Sequence, residues 1–230
     1  MKWVAAAACA AIIVGAVFGM PTLKRGGQEG MNSYNPSGVL TVMAAYPDPV
    51  AKELSAQKFM ESDAHWDWWT SYRELISESR ELQSGMNSYY MDMMGHLLVS
   101  EDENTVCSPI NTYIAFAMLA EVSDGNTRQQ ILNMLGVQDI NTLRENVSSL
   151  WKSNYVDTPV LKSVLANSLW LNSNVDYIDS TLNRLAEQYY ASTFMGTPGS
   201  AEMNQALQKW TDDNTGGLLT EYTKEMSMDS

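Results

Sequence analysis

The sequence predicts an α+β fold, and three observations carry that prediction. Ser108-Pro109 opens a long apolar run to Val122, and a second helical run follows it. Val160 to Leu171 (VLKSVLANSLWL) is apolar at both alternating sets of positions, as in a strand covered on both faces. An amphipathic helix over Tyr177–Tyr190 then separates that strand from a short extended piece at Ala191–Met195.

The elements follow in order. Trp3–Met20 is an Ala-rich apolar stretch behind Lys2, and it reads as a signal peptide with cleavage near Gly19. Its 18 residues sit at the lower limit for spanning a bilayer, so membrane anchoring through residues 3–20 is the competing reading. Residues 1–20 are therefore assigned as signal peptide or membrane anchor, which places the protein outside the cell, secreted or held on the outer membrane face. Residues 21–50 hold GGQEG and Pro47-Asp48-Pro49 and read as a linker. Residues 51–85 form a polar helical extension that carries Trp66, Trp68 and Trp69. Trp66 and Trp69 are expected to share a face with Tyr72 and Arg73, either packing onto a larger body or binding sugars or peptides.

Asn87–Val99 reads as a helix through Tyr90, Met91, Met94 and Leu97, weakened by Gly95. Ser108 suits a helix N-cap, since its hydroxyl can accept from a free first-turn amide. Pro109 sits where its missing N–H costs nothing. Ile114, Ala115, Met118, Leu119 and Val122 continue at helical spacing to the Gly125-Asn126 turn. Thr127 with Gln130 reads as a capping box for a helix ended by Gly136. Residues 140–153 form another helix through Leu143, Val147, Leu150 and Trp151. The Val160–Leu171 strand is expected at the centre of its sheet. A final helix and its ending occupy 201–223, through Met203, Leu207 and Trp210 to Gly216-Gly217.

Composition excludes several functions. The net charge is −13, from 14 basic and 27 acidic residues. Lys2, Lys24 and Arg25 precede the first acidic residue, so the rest of the chain is more acidic still. Nucleic acids and anionic membranes need clustered Lys and Arg to displace counterions and are poor partners here. Once a signal is removed, Cys107 is the single cysteine left, best read as a buried inert thiol, and no disulfide framework remains. His65 and His96 are the only histidines, and no metalloprotease, nucleophile-elbow, P-loop or dinucleotide motif occurs. No cofactor, metal site or catalytic residue is expected. Asp212-Asp213 and Glu101-Asp102-Glu103 read as solvated turns.

The order of certain residues goes beyond periodicity. Asn104, Val106, Ser108-Pro109, Ala115, Ala117-Met118-Leu119, Gly125-Asn126-Thr127 and Gln130-Ile131 follow one another. Ala166-Asn167-Ser168-Leu169-Trp170 comes next, then Leu207-Gln208-Lys209-Trp210 with Thr215, Gly217 and Leu219. This succession resembles the serpins: their helix B and C region, the second strand of their main sheet, and helix F. The resemblance covers residues 86–230, less than half of a serpin domain. It implies a serpin-like fold that is incomplete here, with the N-terminal helices and the first strands of the main sheet.

What the resemblance implies about function is specific. Serpins trap serine-type proteases covalently and insert a cleaved reactive-centre loop as a new strand, a release of stored strain. That loop lies near the family's C-terminus and has no counterpart here, so this chain is expected to be inactive alone. A full-length form would be a serine-type endopeptidase inhibitor with a serine-type protease as partner. The family's shutter serines and helix F Asn fall on Ser108, Asn111 and Gln208, with Ser108 retained and the other two changed. Asn104, Ser108 and Pro109 match the helix B start. Trp210, Thr215 and Gly217 match helix F, where Leu218 replaces a usual Lys. The alternative is a non-inhibitory, serpin-like extracellular binding protein that uses its aromatic N-terminal segment. No enzymatic activity is expected.

Overall fold

The computed structural model describes residues 33–34, 39–97, 108–223 and 227. In chain order its elements are β1 (Ser33–Tyr34), β2 (Leu40–Val42), α1 (Ala56–Met60), α2 (Asp63–Gly85), α3 (Asn87–Leu97), α4 (Pro109–Val122), α5 (Gly125–Met134) and α6 (Ile140–Asn154). They continue with β3 (Val156–Asp157), β4 (Lys162–Ser163), β5 (Asn167–Asn172), α7 (Asp179–Gln188), β6 (Ala191–Gly196), α8 (Ala201–Asn214) and α9 (Thr220–Thr223). A helix-rich core with small sheets makes this an α+β fold. The elements fall into two compact units.

The first unit takes residues 46–165. Helix α4 is apolar nearly all round and buried on most of its surface, with Tyr113, Ile114, Ala117 and Ala120 inaccessible to solvent. A helix of that composition must be enclosed, and α3, α5 and α6 pack against it. Helix α6 is amphipathic: Leu143, Val147, Leu150 and Trp151 face inward, and α2 lies against it. The Trp151 indole N–H donates to the Leu165 carbonyl at 2.8 Å, satisfying the polar edge of a fully buried ring. Tyr46 and Tyr155 stack on that indole, with centroids 5.3 and 4.6 Å away. The short β3–β4 hairpin completes the unit.

The second unit takes the described residues up to 45 together with those from 166 onward. Its sheet has the order β1-β2-β6-β5. Strands β5 and β6 are parallel, from Asn167↔Ala191 to Asn172↔Gly196, and α7 makes the crossover that a parallel pair needs. Helix α7 buries Leu182, Leu185 and Ala186 and packs on β6, as does α8. Trp170 and Phe194 stack across the parallel pair at 4.2 Å.

Several sequence expectations change at this level. Asp124, rather than Thr127, caps α5: its carboxylate accepts from the Gly125 amide at 2.7 Å, so the helix starts three residues earlier. The single strand expected over Val160–Leu171 divides into β4 and β5. Among the described residues β5 ends its sheet instead of occupying the centre. Apolar side chains on both faces report what covers the faces and say nothing about pairing at the edges. Residues 40–42, expected within the linker, form a strand paired antiparallel to β6. Tyr72 does not share a face with Trp66: six residues apart on a helix puts them about 120° apart. Tyr72 instead stacks on Trp68 at 5.5 Å, four residues before it.

The expectation of membrane anchoring through residues 3–20, and with it a location on the outer membrane face, is corrected. Among the described residues no helix is long and apolar enough to cross a membrane. Residues 3–20 themselves, with Cys9, lie outside the described residues, as do Asn104 and Cys107.

Candidate functional site

The site residues expected from sequence gather at the start of α4 and along α8. Ser108 has the extended backbone of an N-cap, and its hydroxyl accepts from the Asn111 amide at 3.4 Å. Its carbonyl accepts from both the amide and the hydroxyl of Thr112, each at 3.1 Å. Pro109 occupies the first helical position. Asn111 points inward and is 1 % exposed. A buried side-chain amide must keep hydrogen-bonding partners or its desolvation goes uncompensated. The structure thus brings Ser108, Pro109 and Asn111 together at one helix start in the first unit. Asn104 lies outside the described residues.

Gln208, Trp210, Thr215 and Gly217 belong to the second unit. Gln208 is half-buried on α8, and the Trp210 indole is buried beside Met203 and Leu207 on the same face. Thr215 is the C-cap, with its amide donating to Thr211 and Asp212 carbonyls. Gly216 and Gly217 both have positive φ, at 62° and 75°. The Gly217 amide reaches back to the Asp212 carbonyl at 3.0 Å, the six-to-one bond of a Schellman ending, which puts Gly216 at the left-handed position. These residues end a helix in a defined direction and carry no reactive group.

The acidic pair after Trp210 is consumed structurally. Asp213 accepts from the Lys209 ammonium at 2.7 Å, and that hydrogen bond, followed by the attraction of the charge, holds the Lys209 pKa above its ordinary value. Asp212 accepts from the Thr220 hydroxyl. Among the described residues no group of three or more His, Cys, Asp or Glu is arranged to hold a metal. The Ser108 hydroxyl serves as a cap, and a serine without an adjacent base is a weak nucleophile.

Sequence reasoning did not find two polar features. Glu121 on α4 is 3 % exposed and is met by both arms of Arg144 on α6, Nε to Oε2 and Nη2 to Oε1, each at 2.8 Å. Glu121 sits inside an otherwise apolar run, which was the available signal: a buried charge demands a partner. The second is the edge pairing of β2. Leu40, Thr41 and Val42 pair with Met195, Phe194 and Thr193. The Ala44 amide then donates to the Ser192 hydroxyl at 3.1 Å, and the Ala45 amide to the Ala186 carbonyl at 3.0 Å. The run Val39-Leu40-Thr41-Val42 after Gly38 was its only mark in the sequence.

The stretch that holds these residues also matches known proteins. Residues 84–230 match the family model described as serpin (serine protease inhibitor). Serpin-ZX of Arabidopsis thaliana is 27 % identical over 158 residues, covering 66 % of this chain and 40 % of that protein. Alpha-1-antiproteinase of Rattus norvegicus is 24 % identical over 182 residues, covering 76 % of this chain and 44 % of that one. A solved structure of Arabidopsis AtSerpin1 in its native stressed conformation overlays with a TM-score of 0.49 at 23 % identity, over 69 % of this chain and 40 % of that one. The chain thus spans about two fifths of the length of the curated relatives it matches.

Proposed function

Because the chain belongs to the serpin family, we propose that it is the N-terminal part of a serine-type endopeptidase inhibitor, inactive until the rest of its domain is present. Membership in a family of non-catalytic protease inhibitors also means that the chain is not an enzyme. The observation that carries the proposal is the match of residues 84–230, set against relatives more than twice as long as the stretch they share with it. In this reading residues 86–230 supply the N-terminal helices and first strands, and the 230 residues contain no reactive-centre loop. The strands that would flank an inserting loop are incomplete for the same reason. The partner of the complete protein is a serine-type protease.

Intact mass of the native protein from its own cells tests the first half of the proposal. The expected result is a species well above the 25.6 kDa of this chain. A native product at or below that mass contradicts the inhibitor reading.

A second reading, a non-inhibitory serpin-like binding protein, is favoured by one observation: two exposed indoles, Trp66 and Trp69, on a helix N-terminal to the matched residues.

A further inference from the structure

The edge of β6 holds a strand mainly by its backbone. Leu40–Val42 pair with it over half the length of the β5–β6 ladder. Past the last paired residue two acceptors continue the recognition. The Ser192 hydroxyl, on a side chain 2 % exposed, takes the Ala44 amide. The Ala186 carbonyl takes the Ala45 amide, and it lies in the last turn of α7, where a helix leaves carbonyls without internal partners. Every one of these bonds is made to the strand's main chain, so the edge reads an extended backbone before it reads a sequence. Side chains add two requirements. Val39 is 1 % exposed and lies over the bare backbone of Gly196, where an added Cβ would come within 3.6 Å of its Cγ2. Val42 is buried and stands directly opposite Thr193.

Thr193 is where the fit is incomplete. It is fully buried, and its hydroxyl has no hydrogen-bonding partner among the described residues. Directly opposed residues of an antiparallel pair put their side chains on one face with Cβ atoms about 5 Å apart, close enough for two hydroxyls to bond. Val42 offers Thr193 only methyl groups. A buried hydroxyl without a partner bears its full desolvation cost, so a strand with Thr or Ser at this position would suit the edge better than the chain's own. The present occupant also has a separate origin. Val39–Ala45 lie ahead of residue 84, outside the residues that match the family, whereas Ser192, Thr193 and Gly196 lie within them.

We propose that the β6 edge, with the end of α7, is a binding site for an extended peptide strand that carries an apolar residue at the place of Val39 and Thr or Ser at the place of Val42, and that Val39–Ala45 is a built-in competitor that keeps the site filled. Binding of this kind needs no reactive-centre loop, so it stands independently of protease inhibition.

The test uses the full 230-residue chain with a site-specific protease cleavage sequence inserted after Lys52, in an exposed turn. Before cutting, Val39–Ala45 competes as a tethered strand at an effective concentration of about 1 mM; after cutting, it competes only at the concentration of the protein. Anisotropy follows a fluorescein-labelled peptide, the Val39–Ala45 sequence with Thr in place of Val42. The expected result is saturable binding to the cut chain and binding at least tenfold weaker to the uncut one. The unaltered sequence should bind the cut chain about threefold more weakly than the Thr peptide, and a Thr193→Val variant should lose that preference. A peptide with Pro in place of Val42 should not bind. The Ala44 amide faces β6 and alternate amides point the same way, so the Val42 amide faces it too. In the uncut chain Val42→Thr should raise the thermal midpoint, and the rise should vanish when Thr193→Val is added. An unchanged midpoint overturns the proposal even if the cut chain loses structure. So does failure to bind a cut chain whose circular dichroism is unaltered, equal affinity for cut and uncut chains, or a Thr preference that survives Thr193→Val.

Discussion

Arg144 and Glu121 form a two-pronged ion pair in which the carboxylate is almost completely out of water. Removing the guanidinium alone strands a buried charge, so Arg144→Ala should lower stability by about 3–5 kcal/mol. Replacing both partners with leucine should recover much of that loss, because the desolvation penalty disappears with the charges. Urea unfolding of the single and double variants measures both effects, and a single-variant cost below about 1 kcal/mol would contradict this account of the pair.

The tyrosines at the α3–α4 contact make a second prediction at this scale. Burial first, then the neighbouring Tyr113, pushes the Tyr90 phenol up to about 12. Burial together with Tyr90 and Tyr113 drives Tyr89 higher still. The folded state holds these protons more tightly than the unfolded chain, which releases them near 10.0. Their contribution to stability is therefore complete below pH 10 and is lost as pH rises toward and beyond 12. Absorbance at 295 nm should show late-ionising phenols, and the urea midpoint should fall over the same range. A single phenolate titration at 10 with a flat midpoint would refute it. Ser108→Ala should cost roughly 1 kcal/mol, the value of a helix cap.

Among the elements, β2 and β6 depend on close packing. A Cβ built at Gly196 would lie 2.6 Å from the Met203 Sδ and 2.7 Å from its Cγ. The Met203 side chain is flexible, but it is almost fully buried, so it has little room to retreat. Gly196→Ala should destabilise the second unit by about 1–3 kcal/mol. Val42→Ala, which removes a buried side chain of β2, should cost about 2 kcal/mol and speed proteolytic cleavage in residues 39–45. Thermal melts and limited proteolysis report both. Unchanged cleavage in the Val42 variant would mean that β2 is not held by its side chains.

What the sequence made legible follows the range of the interaction. The start of α4 and the glycine ending of α8 are local arrangements, and each was readable within a few residues, whereas α7, expected over 177–190, runs Asp179–Gln188 with no side-chain cap at its start. The pairing of β2 with β6 spans about 150 positions, and its short apolar run sits in Gly- and Pro-rich surroundings. No local pattern encodes that edge. The strand break at residues 164–166 was hidden because apolar alternation continues through it. The places of Ser108, Pro109, Trp210, Thr215 and Gly217 in and around α4 and α8 were legible for the same reason as the caps: they sit in short ordered motifs. The Glu121–Arg144 pair joins two helices 23 positions apart, and only the odd carboxylate in an apolar helix hinted at it.

For the molecule as a whole, family membership and extent of match point the same way. The chain has an acidic surface suited to solubility. It also has a well-packed set of serpin-family helices and strands, over about two fifths of the length of its relatives. Inhibition by this mechanism needs a loop that can enter a sheet, and the proposed account gives these 230 residues neither the loop nor a complete sheet. The decisive measurement is incubation of the 230-residue protein with trypsin-, chymotrypsin- and subtilisin-like proteases, followed by denaturing electrophoresis and residual-activity assays. The account predicts no SDS-stable protease complex and full residual activity. An SDS-stable adduct with any of these proteases, accompanied by loss of its activity, would contradict it.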